Sequence, residues 1–278
     1  MVNIKEFKKM KDFLICVDSD GCAMDTMDIK HFKCFGPSMV NEWKLDQWKD
    51  EILTRWNEIN LYTLTRGINR FAGLAVALDE IDKKYTKIEG IEEFLAWTKT
   101  SKELSNASVK KMSEQSQNPM YLKALSWSNQ VNEGINKLED SEKKPFGGVL
   151  EGLKAAHQIA DIAVVSSANK EAVIEEWERC GLTEYVDVLC CQDAGTKAEC
   201  IKELKKQGYG EDHILMVGDA VGDRKAAETN GVFYYPILVK KEAKSWEEFK
   251  NIALDRFTGL DFKGYEADKK KQFEENLK

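Results

Sequence analysis

The chain has 278 residues, of which 42% are hydrophobic, 10% aromatic and 32% charged, with only 4 Pro and 18 Gly. That excludes collagen-like, low-complexity and wholly disordered classes and leaves one or two globular domains. Its 41 basic against 48 acidic residues, a formal net charge of -7, give no overall attraction for polyphosphate, so no nucleic acid partner is expected.

The N-terminal stretch MVNIKEFKKMKDFLICV reaches Asp18 with only the five apolar residues FLICV in a row. A secretory signal needs roughly 7–15 and a membrane span about 18, so neither export nor membrane insertion is expected. Phe13 to Val17 itself reads as a strand buried on both faces. Residues 26–144 hold no comparable run. Instead apolar residues recur at helical spacing in Trp48, Ile52, Trp56 and Ile59, and again in Phe71, Leu74, Leu78 and Ile81, which predicts an inserted helical domain. SEKKPFGG at 141–148 breaks that periodicity. Four further apolar runs follow: Ile162 to Val165, Val186 to Cys191, Ile214 to Val217 and Val232 to Leu238. Between them Asn169 caps a helix ending at Gly181, Thr196 and Glu199 make a capping box, and Asp223 precedes a helix ending at Gly231. Alternating strand and helix predict a doubly wound, Rossmann-like α/β core with a parallel sheet, formed by 1–25 and 145–278, with 26–144 as the helical insert. The tail KGYEADKKKQFEENLK reads as a solvated helix or a frayed end. Seven cysteines without a C-x-x-C pair read as the reduced thiols of a cytoplasmic protein.

Three strand ends carry polar residues where open α/β sheets bind ligands. Asp18 and Asp20 follow the first strand in FLICVDSDGCAMDT, Ser166 and Ser167 end IAVVSS, and Asp219 and Asp223 follow ILMVG. Lys197 lies in a helix's first turn, where a cation opposes the macrodipole. A parallel sheet makes the four aspartates converge, and their repulsion, about 4 kcal/mol per pair at contact for a dielectric near 20, calls for a cation. With no His or Cys among them the set is all-oxygen and suits Mg²⁺. A carboxylate beside such an ion can attack phosphorus, while Lys197 and Ser166 hold the phosphoryl oxygens and Asp20 moves the proton.

In DSDG, VVSS, Lys197 and GDAVGD the sequence resembles the haloacid dehalogenase superfamily, within it the Mg²⁺-dependent phosphatases and phosphomutases. The resemblance implies Asp18 as phospho-acceptor, Asp20 as general acid/base, and Ser166 with Lys197 as the phosphate clamp, Ser167 beside them. Asp219 and Asp223 become Mg²⁺ carboxylates together with Asp18, and the Asp20 backbone carbonyl also coordinates. The insert becomes a cap. Asp20 argues against halide displacement. A phosphonate hydrolase requires a cap lysine that the sequence does not single out, and a phosphomutase places a cap histidine near the position of His31. In LTRGINRF, Arg66, Asn69 and Arg70 are candidates for reading the rest of the substrate, the two arginines sharing a helical face if the helix continues through Gly67. The expected activity is a phosphatase on a small phosphorylated metabolite, with a noncatalytic phosphate-binding protein as the alternative from another class.

Overall fold

The computed structural model describes residues 2–277. It divides into two compact units, one made of the chain up to Met27 and from Asp140 onward, the other of Asp28–Glu139.

In the first unit β1 (Val2–Asn3), β2 (Phe13–Val17), β3 (Ala160–Val165), β4 (Val188–Cys190), β5 (Ile214–Gly218) and β6 (Phe233–Pro236) form one sheet in the order β1-β4-β3-β2-β5-β6. Every pair is parallel. The five predicted strands are present, Phe13–Val17 with the expected bounds and the other four with shifted ends, and β1 is added. Because Val2 and Asn3 are exposed on the sheet edge, β1 leaves no apolar run to read. The third predicted strand is shorter than Val186 to Cys191, since the Asp187 carboxylate accepts the Ile162 N–H at 2.8 Å and so is held at the strand's start.

Ile15, Val17, Ile162, Val164, Leu215 and Val217 pack on one face with Leu153, Trp177, Trp246 and Phe249. Their alternates Leu14, Cys16, Ala163 and Met216 are equally buried. Both faces are therefore covered, which is why the strands read as continuous apolar runs instead of alternating ones. The helix Lys170–Arg179 is capped by Asn169 and Lys197–Lys205 by the Thr196–Glu199 capping box. Contrary to expectation, the next helix starts at Val221 and not after Asp223: the Asp223 carboxylate reaches back to the Ala220 N–H at 3.0 Å, satisfying a free donor of the first turn. The charged tail is a helix, Lys263–Asn276, anchored by Phe273 against Tyr234 and by Lys269 to Glu248 at 2.5 Å.

The second unit is helical among its described residues, with Lys49–Asn57, Arg70–Lys84 and Pro119–Asn136 as main elements. Ile52, Trp56 and Ile59, then Phe71, Leu74, Leu78 and Ile81, are buried in its core beside Trp127. The tryptophans there serve packing, each burying some 150–250 Å². No helix among the described residues is long and apolar enough to cross a membrane.

Candidate active site

Val17, the last residue of β2, pairs with Val164 of β3 and Val217 of β5. Asp18 is thus level with Val165 and Gly218, and Ser166 and Asp219 follow one residue further along the flanking strands. After Asp18 the chain turns back, with Gly21 at φ 82° and its N–H donating to the Met24 carbonyl at 2.9 Å. Trp177 Nε1 donates to Ser19 Oγ and Trp246 Nε1 to the Cys22 carbonyl, both at 2.9 Å. Two buried indoles therefore hold this turn in place.

One carboxylate oxygen each of Asp18, Asp219 and Asp223 lies within 4.8 Å of the other two, and all three residues are buried. Gly218 makes room for this approach. Lys197 Nζ stands 2.9 Å from Asp18 Oδ1 and 2.5 Å from Asp223 Oδ1. Burial lowers the affinity of Lys197 for its proton, but Asp18 and Asp223 outweigh that and raise it above the ordinary lysine value. Burial also pushes the Asp18 carboxyl well up; Lys197 opposes this, and Asp223 and Asp219 reinforce it. Burial acts most strongly on both groups; the neighbouring acids reverse its effect on Lys197 and add to it on Asp18. The donor set fits a hard divalent cation. It is all-oxygen, with the three oxygens within 4.8 Å of one another, and Mg²⁺ takes carboxylate oxygens at about 2.0–2.1 Å. The Cys22 thiol is held well above its usual range by burial and then by the neighbouring aspartates, so it stays neutral.

Not every expected residue joins the cluster. The Asp20 carboxylate is not part of the three-oxygen set and accepts a hydrogen bond from Thr26 Oγ1 at 2.5 Å, so three of the four expected carboxylates form that set. Ser166 is buried, with Oγ accepting the Ala168 N–H at 3.2 Å, whereas Ser167 is exposed. Arg66 and Arg70 do not share a helical face, because Gly67 adopts φ 69° and the helix begins only at Arg70. Arg66 Nη1 donates to the Leu61 carbonyl at 2.8 Å and Asn69 caps the helix. Arg70 Nη1 bonds Ser128 and Asn132. His31 Nδ1 accepts from Trp56 Nε1 at 3.0 Å, and its ring stacks on Phe35. Sequence alone gives Thr26, Gly218 and Trp177 no site role. The only visible signal was proximity: Thr26 lies in the first motif and Gly218 precedes Asp219.

A family model described as haloacid dehalogenase-like hydrolase matches residues 81–236, more than half of the chain. That match ends at the last residue of β6 and does not include Asp18. No curated protein matches the sequence. Among solved structures, a protein assigned as a phosphoglycolate phosphatase from Lactobacillus delbrueckii subsp. bulgaricus superposes with a TM-score of 0.50 at 16% identity, covering 91% of this chain and 98% of its own. One assigned as a β-phosphoglucomutase from Thermotoga maritima gives 0.51 at 15% identity, covering 87% and 99%. At these identities the likeness is one of fold. The parallel sheet and the matched segment together place this chain among the haloacid dehalogenase-like hydrolases.

Proposed function

We propose that the chain is a Mg²⁺-dependent phosphatase that hydrolyses a small phosphorylated metabolite through a phosphoaspartate on Asp18. The observation that carries this reading is the ammonium of Lys197 set between Asp18 and Asp223 in a buried cluster of three carboxylates. Such a group both screens an anionic nucleophile and binds a phosphoryl oxygen.

In this reading an Asp18 carboxylate oxygen attacks phosphorus, the bond to the ester oxygen breaks, and Asp20 gives its proton to the departing alkoxide. Asp20, now ionised, takes a proton from water, whose oxygen attacks phosphorus and frees Asp18 and inorganic phosphate. Lys197 and Ser166 hold the phosphoryl oxygens throughout, with Ser167 at the rim. Mg²⁺, held by Asp18, Asp219, Asp223 and the Asp20 carbonyl, would neutralise charge between nucleophile and phosphate. The unit Asp28–Glu139 serves as the substrate-selecting cap. The bonds that His31 makes to Trp56 give no support to the mutase alternative.

The test is phosphate release from a panel of phosphorylated metabolites, lost with EDTA and restored by Mg²⁺. Asp18→Asn should abolish turnover with the fold intact. Undiminished release by that variant overturns the nucleophile, and no release from any substrate by the intact protein favours the noncatalytic reading.

A further inference from the structure

In the helical unit the guanidinium of Arg70 has no carboxylate partner among the described residues. Other arginines pair with carboxylates: Arg55 with Glu80 at 2.7 Å, Arg179 with Asp140 at 2.7 Å, Arg224 with Glu274 at 2.5 Å and Arg256 with Asp261 at 2.9 Å. Arg70 has no carboxylate in ion-pairing distance among the described residues, although acidic side chains outnumber basic ones in the chain. It is also half-buried, and burial alone lowers its affinity for the proton, with no acid to offset the loss. A desolvated charge without a counter-charge is unfavourable unless something supplies one.

The geometry shows what is left open. The guanidinium carbon lies 5.1 Å from the centroid of the Phe35 ring, so an aromatic surface covers one face. Nη1 donates to Ser128 Oγ at 3.0 Å and to Asn132 Oδ1 at 2.7 Å, which uses both of its hydrogens. Ser128 is fully buried and donates in turn to Asn106 Oδ1 at 2.7 Å, so the guanidinium is locked in orientation by neutral groups. Nε and Nη2 have no hydrogen-bond acceptor among the described residues, and neither is a buried atom left without a partner. They are the two parallel donors of the side-on fork that matches a carboxylate. The position at the first residue of Arg70–Lys84 adds the positive end of a 15-residue helix.

We propose that Arg70 is the centre of a carboxylate-binding site in the helical unit, its Nε and Nη2 holding the two oxygens of a small organic acid. One guanidinium balances the single charge of one carboxylate, whereas a phosphate dianion carries one charge more than Arg70 supplies. The site stands on the helical unit alone and does not depend on the phosphatase reading.

Limited modification of the full-length protein with phenylglyoxal, mapped by mass spectrometry, tests this at residue level. Arg70 should react before the ion-paired Arg55 and Arg224, and sodium lactate should slow its modification severalfold relative to sodium chloride of equal ionic strength. Equilibrium dialysis with labelled lactate should show binding weakened about tenfold or more in Arg70→Gln. Should that variant not fold, the mapping on the unaltered protein decides. Equal rates in lactate and chloride, reaction no faster than at the paired arginines, or protection by inorganic phosphate but not by lactate overturns the proposal.

Discussion

A Cβ atom placed on Gly218 would lie 2.4 Å from Cβ and Cγ of Asp223. The glycine at the end of β5 thus leaves the space into which the helix Val221–Asn230 sends its carboxylate. Gly218→Ala must displace the helix start or the Asp223 side chain, and we expect it to lower stability by about 1–3 kcal/mol. Phosphate release should fall far more than that loss of stability explains, because Asp223 then leaves Asp18 and Lys197. Denaturant unfolding alongside phosphate release checks this, and a fully active, equally stable variant contradicts it.

Lys197 pairs with two of the three acids, Asp18 and Asp223. Lys197→Met should cost about 3–5 kcal/mol when unfolding is measured in EDTA, since breaking a buried pair strands its partners. Where the protein still folds, turnover should drop by about 10²–10³ through loss of a charge aimed at the phosphoryl oxygens. A variant with lowered stability but unchanged turnover would make Lys197 purely structural.

Removing the divalent ion separates charge repair from chemistry. With Mg²⁺ at a hundredfold excess over Kd, stability should rise by about 2.7 kcal/mol, seen as an upward shift in Tm. Asp219→Asn should act in opposite directions in the two conditions. In EDTA it relieves repulsion with Asp18 and Asp223 and stabilises the protein; with Mg²⁺ present it forfeits most of the shift. Melting curves of both proteins with and without the ion read out that crossing.

The strands were legible because β2, β3 and β5 are buried on both faces and carry almost nothing but apolar residues, whereas the exposed edge pair Val2–Asn3 offers no such signal. Asp18, Asp219, Asp223 and Lys197 were legible as a group, since parallel strands put their ends on one edge whatever the sequence separation. Local bending was not. The φ of 69° at Gly67 separates Arg66 from Arg70, and the Asp20 carboxylate is bonded to Thr26 and is not in the three-oxygen set; spacing alone records neither. The space at Gly218 is likewise a property of two elements meeting, invisible in either one.

Thr26 supplies the last prediction. It is fully buried, and its hydroxyl donates to Asp20 Oδ1 at 2.5 Å. If Asp20 is the general acid, this bond fixes where its proton is offered, and Thr26→Val removes the bond with little change of shape. We expect kcat to fall about ten- to a hundredfold on an alkyl phosphate, since small misplacements of a catalytic group carry losses of that size. The loss should shrink on 4-nitrophenyl phosphate, whose leaving group departs without needing a proton, and KM should stay nearly constant on both. Thr26→Ser keeps the hydroxyl and should recover most of the rate. An equal loss on both substrates, or no recovery with serine, would show that the threonine packs the turn and does not position Asp20.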